Sequence, residues 1–240
     1  MDRASVNRDN NQYSLSIRFS SDGFSLSVHD ELNNLLSTKK VATLLFSHTE
    51  EEIIRKLLYE PELQVSCKNI RLICELDTYA FVPITLFDEQ YSDSFLFYHD
   101  KKEKNEKVIF NRLSEWDMVN VFSIPPALYG ALNHLYPDLI VEHHLSNFFS
   151  SKVNVNLSQT VQIWVRPTKM DVMVFTNGRP VLMNTFPYKS TEDFIYYTLH
   201  VFEQLSLNVE TYEVKLYNTN KSTDLQLNLQ RFIKSVKCCQ

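Results

Sequence analysis

Residues 160–205 constrain this chain more than any other stretch. They run TVQIWVR, PTKM, DVMVF, TNGR, PVLMNTF and STEDFIYYTLHVFEQL, which reads strand, turn, strand, turn, strand, helix. Val161, Ile163 and Val165 fall on one face at period two, and Val172-Met173-Val174-Phe175 is apolar on both faces, as expected of a strand covered on both sides. Asn177-Gly178 predicts a two-residue hairpin, because a type I′ turn needs positive φ at both central positions. Phe194, Tyr197, Val201 and Leu205 then recur at helical spacing, which predicts a helix over 191–205 packed on the sheet. A meander that feeds a covering helix belongs to a mixed α/β domain.

A weaker copy of the unit opens the chain. Tyr13, Leu15, Ile17 and Phe19 alternate with polar residues, Ser21-Asp22-Gly23 makes a turn, and Phe24, Leu26 and Val28 continue the alternation. A polar connection through Asn33-Asn34 leads to an expected strand at 41–46. Thr49 and Glu52 form a capping box for a helix with Ile53, Ile54, Leu57 and Leu58 as its buried stripe, ended by Pro61. A strand follows at 70–76. The second copy continues in the same order, with a strand at 211–217 and a final helix expected from about Ser222 to Val236. Between the copies lie strands at 79–82, 108–113 and 118–123, a helix at 125–136, a strand at 139–141 and a short helix at 145–149. Leu86, Tyr91 and Phe95 also support a helix within 83–98. Leu128, Ala131, Leu132 and Leu135 share a face of the 125–136 helix, and Lys101–Lys107 is a solvated charged loop. Polar Ser150–Ser158 marks the boundary. The expected organisation is a disordered tail at 1–11, a first domain at 12–150 and a smaller second domain at 151–240.

Three strands, helix, strand, helix is the order of ribonuclease-H-like domains. Two such βββαβα domains in tandem resemble the actin-like ATPase fold, so the expected class is α/β with mixed sheets. Phe81-Val82-Pro83, Val121-Phe122-Ser123-Ile124-Pro125, Leu135-Tyr136-Pro137 followed by His143-His144, and Val174–Pro180 are together similar to an uncharacterised bacterial family with this fold and no established activity. The resemblance implies phosphates held between two hairpins, one per domain, each with an Asp-x-Gly type turn, and adenosine against a Gly-Gly helix start. Here the first hairpin offers Ser20-Ser21-Asp22-Gly23. The second offers Pro167-Thr168-Lys169-Met170, with no glycine and with Asp171 displaced into the strand. The cleft candidates are therefore Asp22, Thr168 and Lys169. The sequence has only Gly23, Gly130 and Gly178, so it has no Gly-Gly, no Walker A pattern and no G-x-G-x-x-G. A degenerate nucleotide site and no cofactor are expected.

Other chemistries find less support. The formal charge of −5 and pI near 5.8 give no global attraction to nucleic acid or to an anionic membrane. No apolar run approaches the roughly 20 residues that span a bilayer, and the start MDRASVNRDNN carries no apolar signal region, so a cytoplasmic location is expected. Cys67 and Cys74 are too far apart for a usual zinc pair, Cys74 reads as a buried small hydrophobe, and Cys238-Cys239 reads as part of a frayed terminus. A two-metal nuclease needs clustered carboxylates, but neither first strand carries one, and Glu75 with Asp77 is the only suggestive pair. Glu142-His143-His144 with His134 is the most metal-like cluster; adjacent histidines diverge on a helix, and a structural role is expected. No G-x-S-x-G elbow occurs. The leading expectation is a non-catalytic actin-like-fold protein serving as a protein-interaction or assembly scaffold, through a protein partner or self-association. The alternative is a divergent nucleotide or phosphate-ligand binder or ATPase using Asp22 and Thr168-Lys169.

Overall fold

The computed structural model describes residues 13–20, 23–32, 34–42, 50–64, 67–97, 106–150, 158–217 and 222–239. The chain divides into two compact units, Met1–Val153 and Asn154–Gln240.

In the first unit, strands β1 (Ser14–Ser20), β2 (Gly23–His29) and β3 (Leu35–Ala42) form an antiparallel meander. Helix α1 (Glu50–Leu58) follows, and β4 (Asn69–Glu75) returns parallel to β1. Strand β8 (Ile140–His143) then adds in parallel to β4, giving the order β3-β2-β1-β4-β8. The alternation dictates the core: Leu15, Ile17, Phe19, Phe24, Leu26 and Val28 point inward against Ile53, Ile54 and Leu57 of α1. Burying each such side chain contributes about 1.5–3 kcal/mol. Their neighbours Ser14, Ser16, Arg18, Ser25 and Ser27 stay half-exposed on the other face.

Between β4 and β8 the chain inserts β5 (Tyr79–Pro83), the short helix α2 (Ser92–Leu96), β6 (Lys107–Leu113), β7 (Met118–Ile124) and helix α3 (Pro126–Leu135). The three strands make a separate antiparallel sheet ordered β5-β7-β6. Polar and aromatic contacts fasten it to the rest of the unit. Asn120 Nδ2 donates to Ser146 Oγ at 2.9 Å, in helix α4 (His144–Ser150), and Phe81 and Trp116 pack edge-on to buried Phe149. The Asn111 amide also lies along the outer edge of β8: its Nδ2 donates to Val141 O and its Oδ1 accepts from His143 N, both at 2.9 Å.

The second unit repeats the order. Strands β9 (Gln159–Val165), β10 (Lys169–Thr176) and β11 (Arg179–Pro187) form the meander, helix α5 (Thr191–Gln204) follows, and β12 (Glu213–Tyr217) returns parallel to β9. Helix α6 (Ser222–Leu229) leads to β13 (Ser235–Cys238), which pairs in parallel with β12. The sheet order β11-β10-β9-β12-β13 matches that of the first unit strand for strand. Both units therefore carry the ribonuclease-H-like topology. Val161, Ile163, Val165, Met170, Val172 and Val174 pack against Phe194, Val201, Phe202, Leu225 and Leu229. Asn177 and Gly178 have φ of 52° and 76°, as the hairpin requires. Ser190 caps α5 by accepting from Asp193 N at 3.2 Å, and Asp193 Oδ2 accepts from Lys189 N at 2.9 Å.

Several sequence expectations are corrected. The final helix stops at Leu229 instead of reaching Val236, and a strand ends the unit. Phe232 is about half exposed while Ile233 and Val236 are buried, so the interior stripe is not the helical one. The terminus is not frayed through Cys239, whose N–H donates to Leu216 O at 2.8 Å. The third strand begins at Leu35, six residues before the expected start, because an edge strand with one neighbour tolerates the polar run STKK. The helix suggested within 83–98 is reduced to a 3₁₀ turn and the five-residue α2. On α3 only Leu128 and Leu132 are buried, and Leu135 is exposed. Residues 1–12, 43–49, 98–105 and 151–157 lie outside the described residues, which removes from view the polar tail, Thr49 of the capping box and most of the charged run 101–107.

Candidate functional site

The turn between β9 and β10 is where the sequence placed Thr168 and Lys169. Arg166 N donates to Lys169 O at 2.9 Å, so Pro167 and Thr168 form the two-residue tip. Thr168 is exposed and Lys169 half-exposed as the first residue of β10. Two carbonyls of the tip are turned toward Tyr188, which follows β11. The Tyr188 hydroxyl donates to Arg166 O at 2.6 Å and its N–H donates to Thr168 O at 3.0 Å. Burial pushes the Tyr188 phenol up from its ordinary value, which keeps it a donor.

Beneath the tip lies a buried ion pair. Asp171 is fully buried and Arg166 nearly so; Arg166 Nη2 donates to Asp171 Oδ1 at 2.7 Å. Thr185 Oγ1 of β11 donates to the same oxygen at 2.7 Å. The arginine, fixed at the end of β9, and the threonine, paired with Asp171 in register, enclose the carboxylate from two strands. A phosphate cradle needs backbone N–H groups converging on one point. Here Pro167 lacks one and that of Arg166 is spent across the turn.

The turn between β1 and β2 has a related base. Ser20 and Gly23 close the hairpin, Ser20 Oγ donates to Gly23 O at 3.1 Å, and Gly23 has φ of 138°. Asp22 lies outside the described residues. Arg18 forms an ion pair with Glu75, which sits beside Ser20 in register at the end of β4. Each hairpin thus has a carboxylate engaged by an arginine. Glu75, one of the two acids considered for metal chemistry, is held this way, and Asp77 is exposed.

The rings of His143 and His144 both meet backbone carbonyls. His143 closes β8 and His144 opens α4, so the pair straddles a strand–helix junction instead of sharing a helix. Both are buried, with ring centroids 4.4 Å apart. His143 Nε2 lies 2.9 Å from Leu76 O and so donates, while its Nδ1 accepts from Leu145 N at 3.4 Å. His144 Nδ1 donates to Cys74 O at 3.2 Å. Glu142 faces Arg71 at 3.4 Å, and His134 is exposed on α3. Burial pushes the Cys74 thiol up to about 12, as for an inert core residue. Among the described residues no group of three or more His, Cys, Asp or Glu side chains is placed to hold a metal ion.

Of the sequence candidates, Thr168 and Lys169 lie together at one turn. The groups that define that turn, Arg166, Asp171, Thr185 and Tyr188, had not been singled out as a set. The one local signal was an acid inside the apolar run Met170–Phe175. No described helix is long and apolar enough to cross a membrane.

The sequence model of a protein family of unknown function, DUF3822, matches residues 4–236. A solved structure from Bacteroides thetaiotaomicron VPI-5482, described as a protein with actin-like ATPase fold and unknown function, is 30% identical. The match covers 95% of this chain and 91% of that one, with a TM-score of 0.83. The PilM–PilN type IV pilus biogenesis complex contains a chain 10% identical, matched over 95% of this chain and 88% of that one at a TM-score of 0.58. AlfA from a B. subtilis plasmid, solved as a filament, is 9% identical, with 95% and 92% covered and a TM-score of 0.51. The last two likenesses are of fold alone. No curated protein matches the chain. The fold is the actin-like ATPase fold, as the tandem topology predicted.

Proposed function

This chain belongs to the DUF3822 family, of unknown function, and from that premise we propose that it is a non-catalytic member of the actin-like fold that serves as a protein-interaction or assembly scaffold. The observation that carries the reading is the buried Arg166–Asp171 pair. The acid nearest the second hairpin already has a cation and a hydroxyl donor, and the carbonyls above it are taken by Tyr188. A carboxylate so enclosed is poorly placed to orient a metal–phosphate group, since its lone pairs and charge are spent within the fold. The pilus complex and the filament described above supply the analogy: proteins of this fold occur in assemblies.

The rival reading is a divergent nucleotide or phosphate-ligand binder. It rests on the exposure of Thr168 beside Lys169 at the turn. Thermal unfolding with and without Mg-ATP at about 5 mM separates the two. A ligand bound with micromolar affinity adds about 5 kcal/mol by mass action, a large rise in Tm. The scaffold reading expects no rise; a clear one would replace it with the rival.

A further inference from the structure

The first sheet carries a cavity of about 530 Å³ at the end away from the β1–β2 turn. That volume is in the range of small-molecule sites. Its floor follows from register. His29 of β2, Ser14 of β1 and Asn69 of β4 are neighbours in one row across the strands. Ser16 and Arg71 are neighbours in the next row, with Ile140 of β8 beside Arg71. Partners in register point to the same side of a sheet, and Ser14 and Ser16 lie on the face away from α1. Strand β8 begins at Ile140, so it does not flank Asn69. Lys68 stands at the rim, fixed by its N–H donating to Tyr13 O at 2.8 Å.

The polar groups around this space are mainly donors. Glu142 holds Arg71 through Nε at 3.4 Å, and the arginine side chain is still 46% exposed. Among the described residues the contact uses Nε alone, which leaves the two Nη groups of the fork for an oxyanion. Ser14, Ser16, Asn69 and Lys68 add two hydroxyls, an amide and an ammonium. Two acids, Asp30 and Glu31, also line the cavity. Both Asp30 oxygens are engaged in the turn that follows β2. Oδ1 accepts from Leu32 N at 2.9 Å and from Asn34 N at 2.7 Å, and Oδ2 accepts from Asn34 Nδ2 at 2.9 Å. Glu31 is exposed just past the end of β2, with β1 between that strand and β4. The donors therefore gather on the β1–β4 side and the acids on the β2 side.

We propose that this cavity binds the phosphate group of a small, hydroxyl-bearing phosphate monoester. The donors decide against a simple carboxylate. The Arg71 fork with two hydroxyls, an amide and an ammonium offers more than the roughly four lone-pair sites of a carboxylate can use. A phosphate monoester presents three strongly accepting oxygens and close to two negative charges. The phosphate sits on the β1–β4 side, against Arg71, Ser16 and Lys68. The hydroxyls of the ligand point to the β2 side, where the Glu31 carboxylate and one nitrogen of a neutral His29 accept. The site is separate from the hairpin considered above: Ser20, at the β1–β2 turn, lies at the other end of a seven-residue strand, about 20 Å from Ser14. The inference goes beyond the scaffold reading and does not depend on it.

Amide NMR of the isotope-labelled full chain, titrated with inorganic phosphate to about 20 mM at constant ionic strength, tests it. Glycerol phosphate supplies an ester and acetate a carboxylate for comparison. The amides of Ser14, Ser16, Asn69 and Arg71 should shift and saturate with both phosphates, more tightly with the ester. Acetate should bind at least about 10-fold more weakly than phosphate. Arg71→Met should weaken phosphate binding about 10-fold or more. Lys68→Met, which leaves the Arg71–Glu142 pair intact, should weaken it about 3-fold and keeps the test open should the arginine variant fold poorly. Unchanged Tm values confirm that the variants fold. Shifts that do not saturate, that centre on other residues or that survive both variants would overturn the proposal. So would acetate binding as tightly as phosphate. A rise in Tm with Mg-ATP that persists in Arg71→Met reports a site other than this cavity, so failure of the scaffold reading is seen separately.

Discussion

Removing Arg166 is the sharpest test of the hairpin geometry. The substitution Arg166→Met keeps the aliphatic volume and deletes the guanidinium that donates to fully buried Asp171, while the Thr185 hydroxyl bond is kept. Breaking a buried ion pair from one side costs about 3–5 kcal/mol, because the surviving charge is left uncompensated. The retained Thr185 bond places the expectation near the lower end, about 3 kcal/mol. In urea, with a slope of about 1–3 kcal/mol per molar, that is a midpoint lowered by about 1.5 M. Trp164 pairs with Asp171 across β9 and β10, and the chain has only one other tryptophan, Trp116. Fluorescence in a Trp116→Phe background therefore follows the second unit alone. The double variant Arg166→Met/Asp171→Leu removes both charges and should fall within about 1 kcal/mol of the parent, since an apolar replacement of a buried pair is often neutral or better. A single variant that loses less than about 1 kcal/mol, or a double variant as unstable as the single, would refute the view that the two charges are bound to each other.

Three further outcomes are expected. Lys237, ahead of Lys215, holds the Glu213 carboxyl below its ordinary value; a depressed folded value gives stability that is present above the usual carboxylate range and lost as pH falls through it. Lys237→Met should thus raise the Glu213 titration midpoint seen by carboxyl NMR, and an unmoved midpoint would show the pair to be inconsequential. Asn111→Ala strips a donor from Val141 O and an acceptor from His143 N and should cost about 1–3 kcal/mol, with faster hydrogen exchange at the His143 amide as the local readout. Ser190→Ala removes the α5 cap and should cost about 1 kcal/mol in thermal or urea unfolding, whereas Ser190→Gly should cost only a few tenths.

What could be read in the sequence was what is decided within a few residues. Asn177-Gly178 dictates its turn by φ alone, and the alternation from Tyr13 to Phe19 dictates which face of β1 is buried. Repetition of those local units was enough to expose the tandem topology. The final strand was hidden because Leu225, Leu229, Phe232 and Val236 mimic a helical stripe at spacings of four and three. What ends the helix at Leu229 is pairing of 235–238 with β12, some twenty residues earlier, and no local propensity reports that. Leu35-Leu36 followed by STKK resembles a loop for a similar reason: an edge strand draws its order from its neighbour. At the candidate site, Thr168 and Lys169 were visible as turn residues. The closure beneath them depends on Thr185 and Tyr188, brought in from the far side of β11.

The Asn111 amide against β8 has one more consequence. A primary amide presents one donor and one acceptor side by side, the same pair that the next strand of a sheet would offer. Placed on Val141 and His143, it terminates the first sheet at that margin as a full strand would, without presenting a fresh margin of its own. The opposite margin, β3, carries no such stop among the described residues. Among the described residues the first sheet is therefore asymmetric, with one flank sealed by a side-chain amide and the other ending in the edge strand β3.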